Sequence, residues 1–339
     1  MKTNLKTLSA SGFAAYIAEA GLPQYRAKQL LHWIYEKHAA SIQDITELSK
    51  ELRNRLSEKA YIGNLSIIDR RTSKDGTEKF LFGLEDGESI ESVLIPDEDR
   101  LTLCISSQVG CAMGCRFCLT GTMGLKRNLA PYEITDQIIN VSRAVKPKVI
   151  TNIVLMGMGE PLANFDNVCE ALQRMADLMK ISPRRITLST SGLAPKILEL
   201  PKKGPRVNLA ISLNATTDAV RDYIMPVNKT YPIRNLLDAC RRFPLQQRRR
   251  ITFEYVLLKG VNDSVEDAHR LVKLLKGVPS KVNLIPFNTF AGCEFESPPE
   301  KTVRSFQEVL AAANLTVLVR KSKGQDILAA CGQLKAKYG

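Results

Sequence analysis

The sequence predicts an α/β protein whose largest part is a partial, six-stranded βα barrel. After Leu101, runs with the pattern of strands alternate with runs that have helical spacing. The predicted strands are residues 102–107, 150–156, 185–190, 207–213, 251–257 and 282–287, with a further strand at 316–319. The clearest helical patterns between them are residues 132–145, 165–180, 264–276 and 301–313. Continuous apolar strands such as 152–156 are typical of a parallel sheet that is covered by helices.

Two smaller regions precede the barrel. In residues 1–60, apolar side chains recur at helical spacing, which predicts a helical accessory domain with a basic surface. Residues 61–100 alternate with a period of two and contain Asp-Gly turn pairs at 75–76 and 86–87, which are strong hairpin signals. We therefore expect a helical domain at 1–60, a β-hairpin linker layer at 61–100, the barrel at 101–320 and a C-terminal tail at 321–339.

The composition is that of a globular protein. At 339 residues and 44% hydrophobic content, the chain is long and apolar enough to bury a sizeable core. Its apolar runs all fall short of the roughly 18 residues that a membrane span needs, and its N-terminus lacks a compact apolar core followed by a cleavage site. These features predict a cytoplasmic protein with no membrane association.

Basic residues exceed acidic ones by a wide margin, and the formal net charge is +13. An excess of this size suits a polyanionic partner, and nucleic acid is the leading candidate for a chain without a membrane segment. The charge is concentrated in two stretches. They are Arg241, Arg242 and Arg248 to Arg250, and the tail residues Arg320, Lys321, Lys323, Lys335 and Lys337.

Three of the eight cysteines, Cys111, Cys115 and Cys118, form a C-x3-C-x2-C pattern. Thiolates at this spacing can wrap one face of an iron–sulfur cluster, and three ligands to a [4Fe–4S] cubane leave one iron free to bind another molecule. The alternative is a zinc site, but structural zinc takes four ligands, and the thirty residues after Cys118 hold no further Cys or His. The spacing therefore favours a cluster over zinc.

The other cysteines divide into two groups. Cys169, Cys240 and Cys293 stand in helical or loop patterns that give them no chemical role. Cys104 lies on the first predicted barrel strand, beside the cluster loop. Cys331 lies in a tail of small residues that would allow close approach to a substrate.

Small and polar residues follow the predicted strands, where barrels of this type gather their functional groups. Gly157 to Pro161 follow the second strand, where glycine lets the backbone approach a ligand and Glu160 can accept hydrogen bonds from a cationic amine. Ser189 to Gly192, Ser212 to Asn214, and Asn288 end later strands. Each is a common capping residue on its own, but together they predict a ring of ligand contacts at the barrel mouth.

Together, these motifs resemble the RlmN/Cfr family of radical S-adenosylmethionine (SAM) RNA methyltransferases over nearly the whole chain. The resemblance rests on Ser106-Ser107-Gln108-Val109-Gly110-Cys111, the cysteine triad, Gly157 to Pro161, Ser189 to Gly192, Val261-Asn262-Asp263, Asn283-Leu284-Ile285-Pro286 and Ala330-Cys331-Gly332-Gln333-Leu334. It implies a partial (βα)6 radical SAM barrel in which Cys111, Cys115 and Cys118 hold a [4Fe–4S] cluster and SAM binds the open iron. It also implies methylation of an adenosine in RNA.

The resemblance implies a reaction in two stages that consumes two SAM molecules per turnover. Cys331 first takes a methyl group from one SAM by displacement. An electron from the cluster, which a donor such as flavodoxin or ferredoxin would supply, then cleaves a second SAM to a 5′-deoxyadenosyl radical. That radical removes a hydrogen from the methyl group on Cys331, and the carbon radical adds to the base. Cys104 would help to remove the ring proton and resolve the adduct, leaving a Cys104–Cys331 disulfide, and Glu91 matches a proposed proton acceptor.

The same matching implies seven residues around SAM, namely Gly159, Glu160, Ser189, Ser212, Leu213, Asn214 and Asn288. One of them departs from the family, which usually carries His where this chain has Asn214. Asparagine keeps a hydrogen-bond donor and an acceptor at neutral charge, so we expect SAM binding to be kept.

RlmN-type members of the family act on carbon 2 of adenosine 2503 in 23S ribosomal RNA, and some also act on adenosine 37 of certain transfer RNAs. Cfr-type members modify carbon 8 of the same ribosomal base and confer antibiotic resistance. Pro161 resembles the RlmN branch, because the Cfr type usually carries Ala there, so we expect carbon-2 chemistry. The helical domain and the arginine cluster at 241–250 are the expected RNA contacts.

Two other classes of protein fit part of the pattern. A radical SAM enzyme could use the same barrel on a protein or a metabolite, although the Cys104/Cys331 pair and the positive charge argue against that substrate. A ribosome-binding zinc protein would bind a metal ion without cleaving SAM.

Overall fold

The computed structural model of the protein describes residues 2–335. Lys337 of the basic tail, like the rest of 336–339, lies outside the described residues. Helices α1 to α11 are Ala10–Glu19, Tyr25–Tyr35, Lys50–Lys59, Leu119–Thr122, Pro131–Ala144, Phe165–Asp177, Ala194–Lys203, Asp218–Ile224, Ile233–Arg242, Val265–Leu275 and Glu300–Ala312. Strands β1 to β14 are Thr3–Asn4, Ala60–Tyr61, Ser66–Thr72, Glu78–Gly83, Ser89–Asp97, Arg100–Cys104, Gln108–Cys111, Gly124–Asn128, Asn152–Leu155, Ile186–Thr190, Asn208–Ser212, Ile251–Leu257, Ser280–Pro286 and Thr316–Val319. In this part of the chain, every helix is too short or too polar to cross a membrane.

Helices α1 to α3 form an N-terminal module with a hydrophobic core of its own. Phe13 and Ile17 of α1 and Leu30 and Ile34 of α2 are buried within it. Their spacing of four residues places each pair on one face of its helix. Parallel pairing of β1 with β2 joins the two ends of the module. The helices expected in residues 1–60 are therefore observed.

Buried charges fix this module to the barrel. Lys6 forms an ion pair with Asp136 of α5 in which neither side chain is exposed, and Asp136 also accepts a hydrogen bond from the Leu65 N–H at 2.7 Å. Arg174 of α6 donates to the Lys6 carbonyl at 2.6 Å and to the Tyr35 hydroxyl at 3.2 Å. Burial lowers the pKa of Lys6, while the charge of Asp136 opposes that shift. Because removing one partner of a buried ion pair costs about 3–5 kcal/mol, the module keeps one orientation against α5 and α6.

Within residues 2–335, ten strands form one sheet in the order β14-β13-β12-β11-β10-β9-β6-β5-β4-β3. Strands β6 and β9 to β14 are parallel, whereas β3 to β6 are antiparallel. Cys104 of β6 pairs with Val93 of β5 on one side and with Val154 of β9 on the other. The predicted β layer and the predicted barrel are therefore parts of one continuous sheet that meet at β6.

The predicted alternation of strands and helices is confirmed. Helices between the parallel strands pack on the sheet around the main hydrophobic core, and the predicted strand 251–257 coincides with β12. The sequence pattern does not single out α7 and α8, because α7 contains Pro201 and α8 is only seven residues long. The predicted end of the first strand, 102–107, is wrong, since β6 ends at Cys104 and a separate β7–β8 hairpin follows.

The β7–β8 hairpin carries the first cysteine of the triad and depends on close backbone contact. Gly110 has a φ of +75°, a conformation that is costly for residues with a Cβ atom. A Cβ atom at this position would lie 1.9 Å from the carbonyl oxygen of Gly124 on the partner strand. Glycine at 110 therefore lets the two strands meet directly before Cys111.

Gly110→Ala is expected to destabilise the protein by about 2–4 kcal/mol, because the added methyl group combines backbone strain with a steric clash. Gly124→Ala is the matched control. Gly124 has a φ of +70°, but nothing lies within 4 Å of a Cβ atom built there. Gly124→Ala should therefore lower the free energy of unfolding by only about 1 kcal/mol. Urea denaturation followed by circular dichroism measures both variants. Equal losses of unfolding free energy would contradict the role of the close contact.

Candidate active site

A cavity opens at the carboxyl ends of the parallel strands. Its wall combines residues that follow β9, β10, β11 and β13 with residues of β12 and of the cysteine loop. The lining residues include Cys111, Cys115, Phe117, Cys118, Gly159, Glu160, Pro161, Ser189, Ser191, Ser212, Asn214, Glu254, Asn288, Arg320 and Cys331. Parallel topology brings these residues together although they are distant in sequence, because all the strands end on the same side.

The cysteine loop, residues 111–123, joins β7 to β8, includes α4 and lines the barrel mouth. Cys111 is the last residue of β7, and Cys118 directly precedes α4. The Cys118 N–H donates to the Cys115 carbonyl at 3.1 Å, which closes the turn between the second and third cysteines. A Cβ atom at Gly121 would lie 2.8 Å from the same carbonyl oxygen. A small residue there therefore allows the loop to fold back on α4.

The three thiols fit an iron–sulfur cluster by their chemistry and placement. Burial raises the pKa of Cys111 to about 12 and also raises the pKa values of Cys115 and Cys118, and the charges of nearby thiolates add to these shifts. The thiolates therefore need a cationic partner, which iron would supply. Residues 2–335 contain no group of three His, Cys, Asp or Glu side chains placed to hold a single metal ion. A cubane cluster is wider than one ion and takes its thiolates on separate iron atoms.

Beneath the cavity, the fully buried Arg221 joins the ends of two strands. Its guanidinium donates to the carbonyls of Ser191 at 2.6 Å, Ser212 at 3.1 Å and Leu213 at 2.9 Å. Burial lowers the pKa of Arg221 to about 10, and the charge of Cys115 opposes that shift. The side chain therefore stays charged at neutral pH and holds a positive charge near the cysteine loop. No sequence motif points to Arg221, since a single arginine in a short helix carries no pattern.

Gly159 and Glu160, two of the predicted SAM contacts, shape the cavity wall after β9. Gly159 has a φ of +98°, and a Cβ atom there would lie 2.5 Å from the Cβ of Gln108. The Glu160 carboxylate accepts the Ser191 N–H at 2.6 Å and the Leu162 N–H at 3.0 Å. Burial raises the pKa of Glu160, while the hydrogen bond from Ser191 opposes that shift. The carboxylate is thus held in the cavity wall by backbone donors that follow β9 and β10.

The remaining predicted SAM contacts differ in their placement. Ser189, Ser212, Asn214 and Asn288 all line the cavity. Leu213 is fully buried in the core beneath it. The assignment of all these residues to SAM stays a prediction.

Asn214, which departs from the family pattern, has structural contacts of its own. Its side-chain oxygen accepts the Val256 N–H at 2.8 Å, and its amide lies 3.2 Å from the Met225 sulfur. Its φ of +56° lies in the left-handed region, where asparagine is tolerated better than most residues. The asparagine therefore suits the local backbone whatever the ligand.

A C-terminal segment, residues 324–335, places Cys331 in the cavity wall. Backbone carbonyls of this segment accept hydrogen bonds from the β13 end and from the cysteine loop. The donors are the Asn288 amide to Cys331 at 3.2 Å, the Leu119 N–H to Gly332 at 2.7 Å and the Thr120 hydroxyl to Leu334 at 2.6 Å. Cys331 is thereby held in the same cavity as the cysteine triad.

Cys104 and Cys331 line one small pocket beside the main cavity, and both are free thiols. Burial raises the pKa of Cys104 to about 12, and the charge of Cys331 adds to that shift. Arg320 lines both the pocket and the cavity. The charge of the Cys331 thiolate raises the pKa of Arg320. Arg320, which the sequence pattern marks only as one of several basic residues, thus places a positive charge beside the cysteine pair.

Glu91, the third predicted catalytic residue, contacts the end of the C-terminal segment. It lies on β5 two residues before Val93, the cross-strand partner of Cys104, so Glu91 and Cys104 share one face of the sheet. Its carboxylate forms an ion pair with Lys79 at 2.9 Å and accepts the Lys335 N–H at 2.9 Å. Both carboxylate oxygens are therefore engaged within the protein.

The arginine cluster predicted to contact RNA lies away from this cavity. Residues 241–250 directly precede β12, so they lie at the amino ends of the parallel strands. The cavity lies at the carboxyl ends. A nucleotide in the cavity is therefore out of reach of these arginines.

Arg221→Met is expected to destabilise the protein by about 3–5 kcal/mol, because it leaves buried carbonyl groups without donors. The control is Arg241→Met. The Arg241 side chain is 41% exposed, pairs with Asp238 of the same helix and donates a long hydrogen bond to the Leu274 carbonyl at 3.5 Å, so its loss should cost under about 1 kcal/mol. Urea denaturation of the two variants measures the difference. A loss for Arg221→Met no larger than for the control would show that the guanidinium does not support the strand ends.

Glu91→Ala is expected to speed alkylation of Cys331 by about 10- to 150-fold, because loss of a hydrogen bond to a charged group makes local opening of the segment easier by about 1.5–3 kcal/mol. Iodoacetamide labelling followed by mass spectrometry measures the rate. Glu91→Gln keeps an oxygen for the Lys335 N–H and should label more slowly than Glu91→Ala. Glu88→Ala is the control, since Glu88 pairs with Lys126 instead. Identical labelling rates in all four proteins would exclude this anchoring role.

Comparison with protein families gives two matches that together cover much of the chain. Residues 105–272 match the Radical SAM superfamily. Residues 3–62 match the ribosomal RNA large subunit methyltransferase N-terminal domain.

Individual proteins resemble the chain over almost its full length. The Dual-specificity RNA methyltransferase RlmN of Pelobacter propionicus is 55% identical over 99% of this chain and 96% of that protein. The protein of the same name from Geobacter sulfurreducens is 55% identical over 98% of this chain and 92% of that protein. A crystal structure of a radical SAM methyltransferase from Sphaerobacter thermophilus has a TM-score of 0.94 and 41% identity, and covers 99% of this chain and 100% of that chain. The chain therefore belongs to the RlmN family of radical SAM RNA methyltransferases.

Proposed function

We propose that the protein methylates carbon 2 of adenosine 2503 in 23S ribosomal RNA, and adenosine 37 of certain transfer RNAs, through a methyl group carried on Cys331. The observation that carries this proposal is the position of Cys331, which lines the same cavity as Cys111, Cys115 and Cys118. A methyl group on the Cys331 sulfur would therefore lie close to the cluster site. The dual-specificity name of the relatives supports the second substrate.

Residues of the cavity wall offer suitable partners for the two cofactors. A [4Fe–4S] cluster on the three thiolates, with two SAM molecules per turnover, would supply the electron, the methyl group and the adenosyl radical. The backbone of Gly159 lines the cavity, and the Glu160 carboxylate beside it would accept hydrogen bonds from the SAM amine. Ser189, Ser212 and Asn288 offer hydroxyl and amide groups for ribose and carboxylate.

Cys331 would act as the methyl acceptor. Its thiol loses a proton, and its sulfur forms a bond to the methyl carbon as the bond from that carbon to the SAM sulfonium breaks. Arg320 lines the same pocket as Cys331 and places a positive charge beside its sulfur. Gly332 has a φ of +84°, and a Cβ atom there would lie 3.2 Å from the Phe117 carbonyl oxygen. This close approach packs the backbone next to Cys331 against the cysteine loop.

Cys104 would act after the carbon on Cys331 has bonded to the base and the radical formed by that addition has given one electron back to the cluster that supplied it. It helps to remove the ring proton, and its thiolate then attacks the Cys331 sulfur. The sulfur–carbon bond breaks, the released carbon takes up a proton to complete the methyl group, and a Cys104–Cys331 disulfide forms. The two sulfurs have lost two electrons, so a thiol reductant must restore them. The role of Glu91 as a proton acceptor stays a prediction.

Carbon 2 is favoured over carbon 8 because Pro161, the residue that resembles the RlmN branch, lies in the cavity wall. A small electron-transfer protein such as flavodoxin or ferredoxin would reduce the cluster. The enzyme would work in the cytoplasm, where its RNA substrates are made.

The test is anaerobic reaction of the reconstituted protein with 23S ribosomal RNA, SAM and reductant, followed by mass spectrometry of the nucleosides. We expect 2-methyladenosine from the wild type and none from Cys331→Ala. In the Cys104→Ala variant, the reaction should stop after the carbon on Cys331 has bonded to the base. The protein should then remain covalently linked to the RNA. The matched control is Cys169→Ala, since Cys169 is a buried cysteine of α6 that does not line the cavity.

Other products would redirect the proposal. 8-Methyladenosine would assign the protein to the Cfr-type chemistry. Cleavage of SAM to 5′-deoxyadenosine without any methylated adenosine would overturn the RNA position proposed here while keeping the radical reaction.

A further inference from the structure

The loops at the amino ends of the barrel strands carry a uniform positive charge. Five segments lead into β9 to β13, and together they contain 12 Lys or Arg residues and no Asp or Glu. These segments are residues 145–151, 178–185, 201–207, 243–250 and 276–279. Because the strands they precede are parallel and adjacent in the sheet, all five lie on the side of the barrel opposite the active site.

Contacts between these segments join them into one surface, here called the basic face. Asn208 at the start of β11 donates to the Arg184 carbonyl at 2.9 Å and accepts a hydrogen bond from the Arg249 side chain. Arg250 donates to the Thr316 hydroxyl at the start of β14 at 2.5 Å. These bonds connect the segments before β10 and β12 with the starts of β11 and β14.

The basic face continues onto the N-terminal module. Lys146 and Lys148 of the first segment line an open groove together with Lys37 and His38, which follow α2 of the module. Ile181 of the second segment lines the same groove. The surface thus connects the barrel to the module that matches the ribosomal RNA methyltransferase N-terminal domain.

Structural roles account for few of these charges. Among the 12 cations, only Lys203 forms an ion pair within residues 2–335, with Asp166 at 3.0 Å. Cations at helix C-termini offset the helix dipole, which explains Lys203 and its neighbour at the end of α7. It does not explain Arg184, Arg206 and Arg248, which are exposed and lie beyond the ends of the α-helices.

We propose that the basic face is a second RNA-binding surface, which contacts the phosphate backbone at a distance from the target nucleotide. The proposal rests on the proposed RNA substrate. An extended row of cations suits phosphates spaced along a backbone, because each contact releases counterions and needs no fixed geometry. Eleven of the 12 cations form no ion pair within residues 2–335. The seven-residue strand β12 alone is about 23 Å long. A large folded RNA could therefore reach both ends of the barrel, whereas a short stem–loop would fill only the mouth.

The test is a triple variant, Arg184→Gln, Arg206→Gln and Arg248→Gln, in the full-length holoenzyme. Its affinity for 23S ribosomal RNA should fall at least about tenfold, and the slope of log K against log salt should decrease by about 2–3, because three phosphate contacts are lost. Its affinity for a short stem–loop that carries the target adenosine should stay unchanged. Fluorescence anisotropy over a salt series measures both RNAs, and circular dichroism verifies that the variant is folded.

The matched control removes the same charge elsewhere, as Arg71→Gln, Arg100→Gln and Arg304→Gln. Each of these exposed arginines forms an ion pair with a nearby acidic residue. An equal loss of 23S affinity in the control would overturn the proposal by showing that net charge alone matters. Unchanged 23S affinity in the test variant would overturn it directly. If only binding to anionic phospholipid vesicles is lost, the basic face is a membrane contact and the RNA assignment fails.

Methylation of the stem–loop is measured in the same experiment. Failure of the carbon-2 chemistry would appear there as a missing product in the wild type. The comparison of RNA affinities does not depend on that product, so the two proposals can fail separately.

Discussion

Buried polar side chains on α5 hold the main parts of this molecule together. Asp136 pairs with Lys6 of the N-terminal module, and Glu133 accepts two hydrogen bonds from Arg127 of the β7–β8 hairpin, at 2.8 and 2.9 Å. Gln137 accepts a serine hydroxyl of β5 at 2.7 Å and a serine N–H that follows β6 at 2.8 Å. A buried polar group without its partner costs about 1–3 kcal/mol. The buried polar side chains of α5 therefore have all their hydrogen-bond partners only when the N-terminal module, the sheet and the β7–β8 hairpin are in place.

The active site needs more than the barrel. The C-terminal segment has little regular structure within the described residues, so its backbone groups depend on partners elsewhere in the chain. Asn288 binds it from the barrel, Thr120 from the cysteine loop and Glu91 from the antiparallel part of the sheet. Because β5 and the barrel strands belong to one sheet, these anchors have fixed relative positions. Cys331 is thereby placed by three regions that are distant in sequence.

The sequence predicts the part of this structure that is built from repeated units, the strand–helix units of the barrel. Apolar strands and amphipathic helices alternate with a regular pattern, and parallel strands necessarily gather the residues at their ends, so the cavity wall could be anticipated. The end of β6 could not, because a strand's length depends on the partner that its backbone finds in three dimensions. Arg221 and Arg320 also escape prediction, since an isolated charge has no periodicity. The left-handed backbone conformation of Asn214 could not be predicted either. The family usually carries His at this position, and only the structure shows a φ at which asparagine is well tolerated.

The two ends of the barrel use charge in different ways. At the mouth, Arg221 donates to three carbonyl groups and Glu160 accepts two backbone N–H groups. Such bonds fix these charged groups in position, which suits a site where a methyl group must meet one atom of an RNA. At the opposite end, exposed cations such as Arg206 and Arg248 keep their side-chain freedom. Phosphate contacts do not require a fixed geometry, so the same type of residue serves positioning at one end and electrostatic attraction at the other.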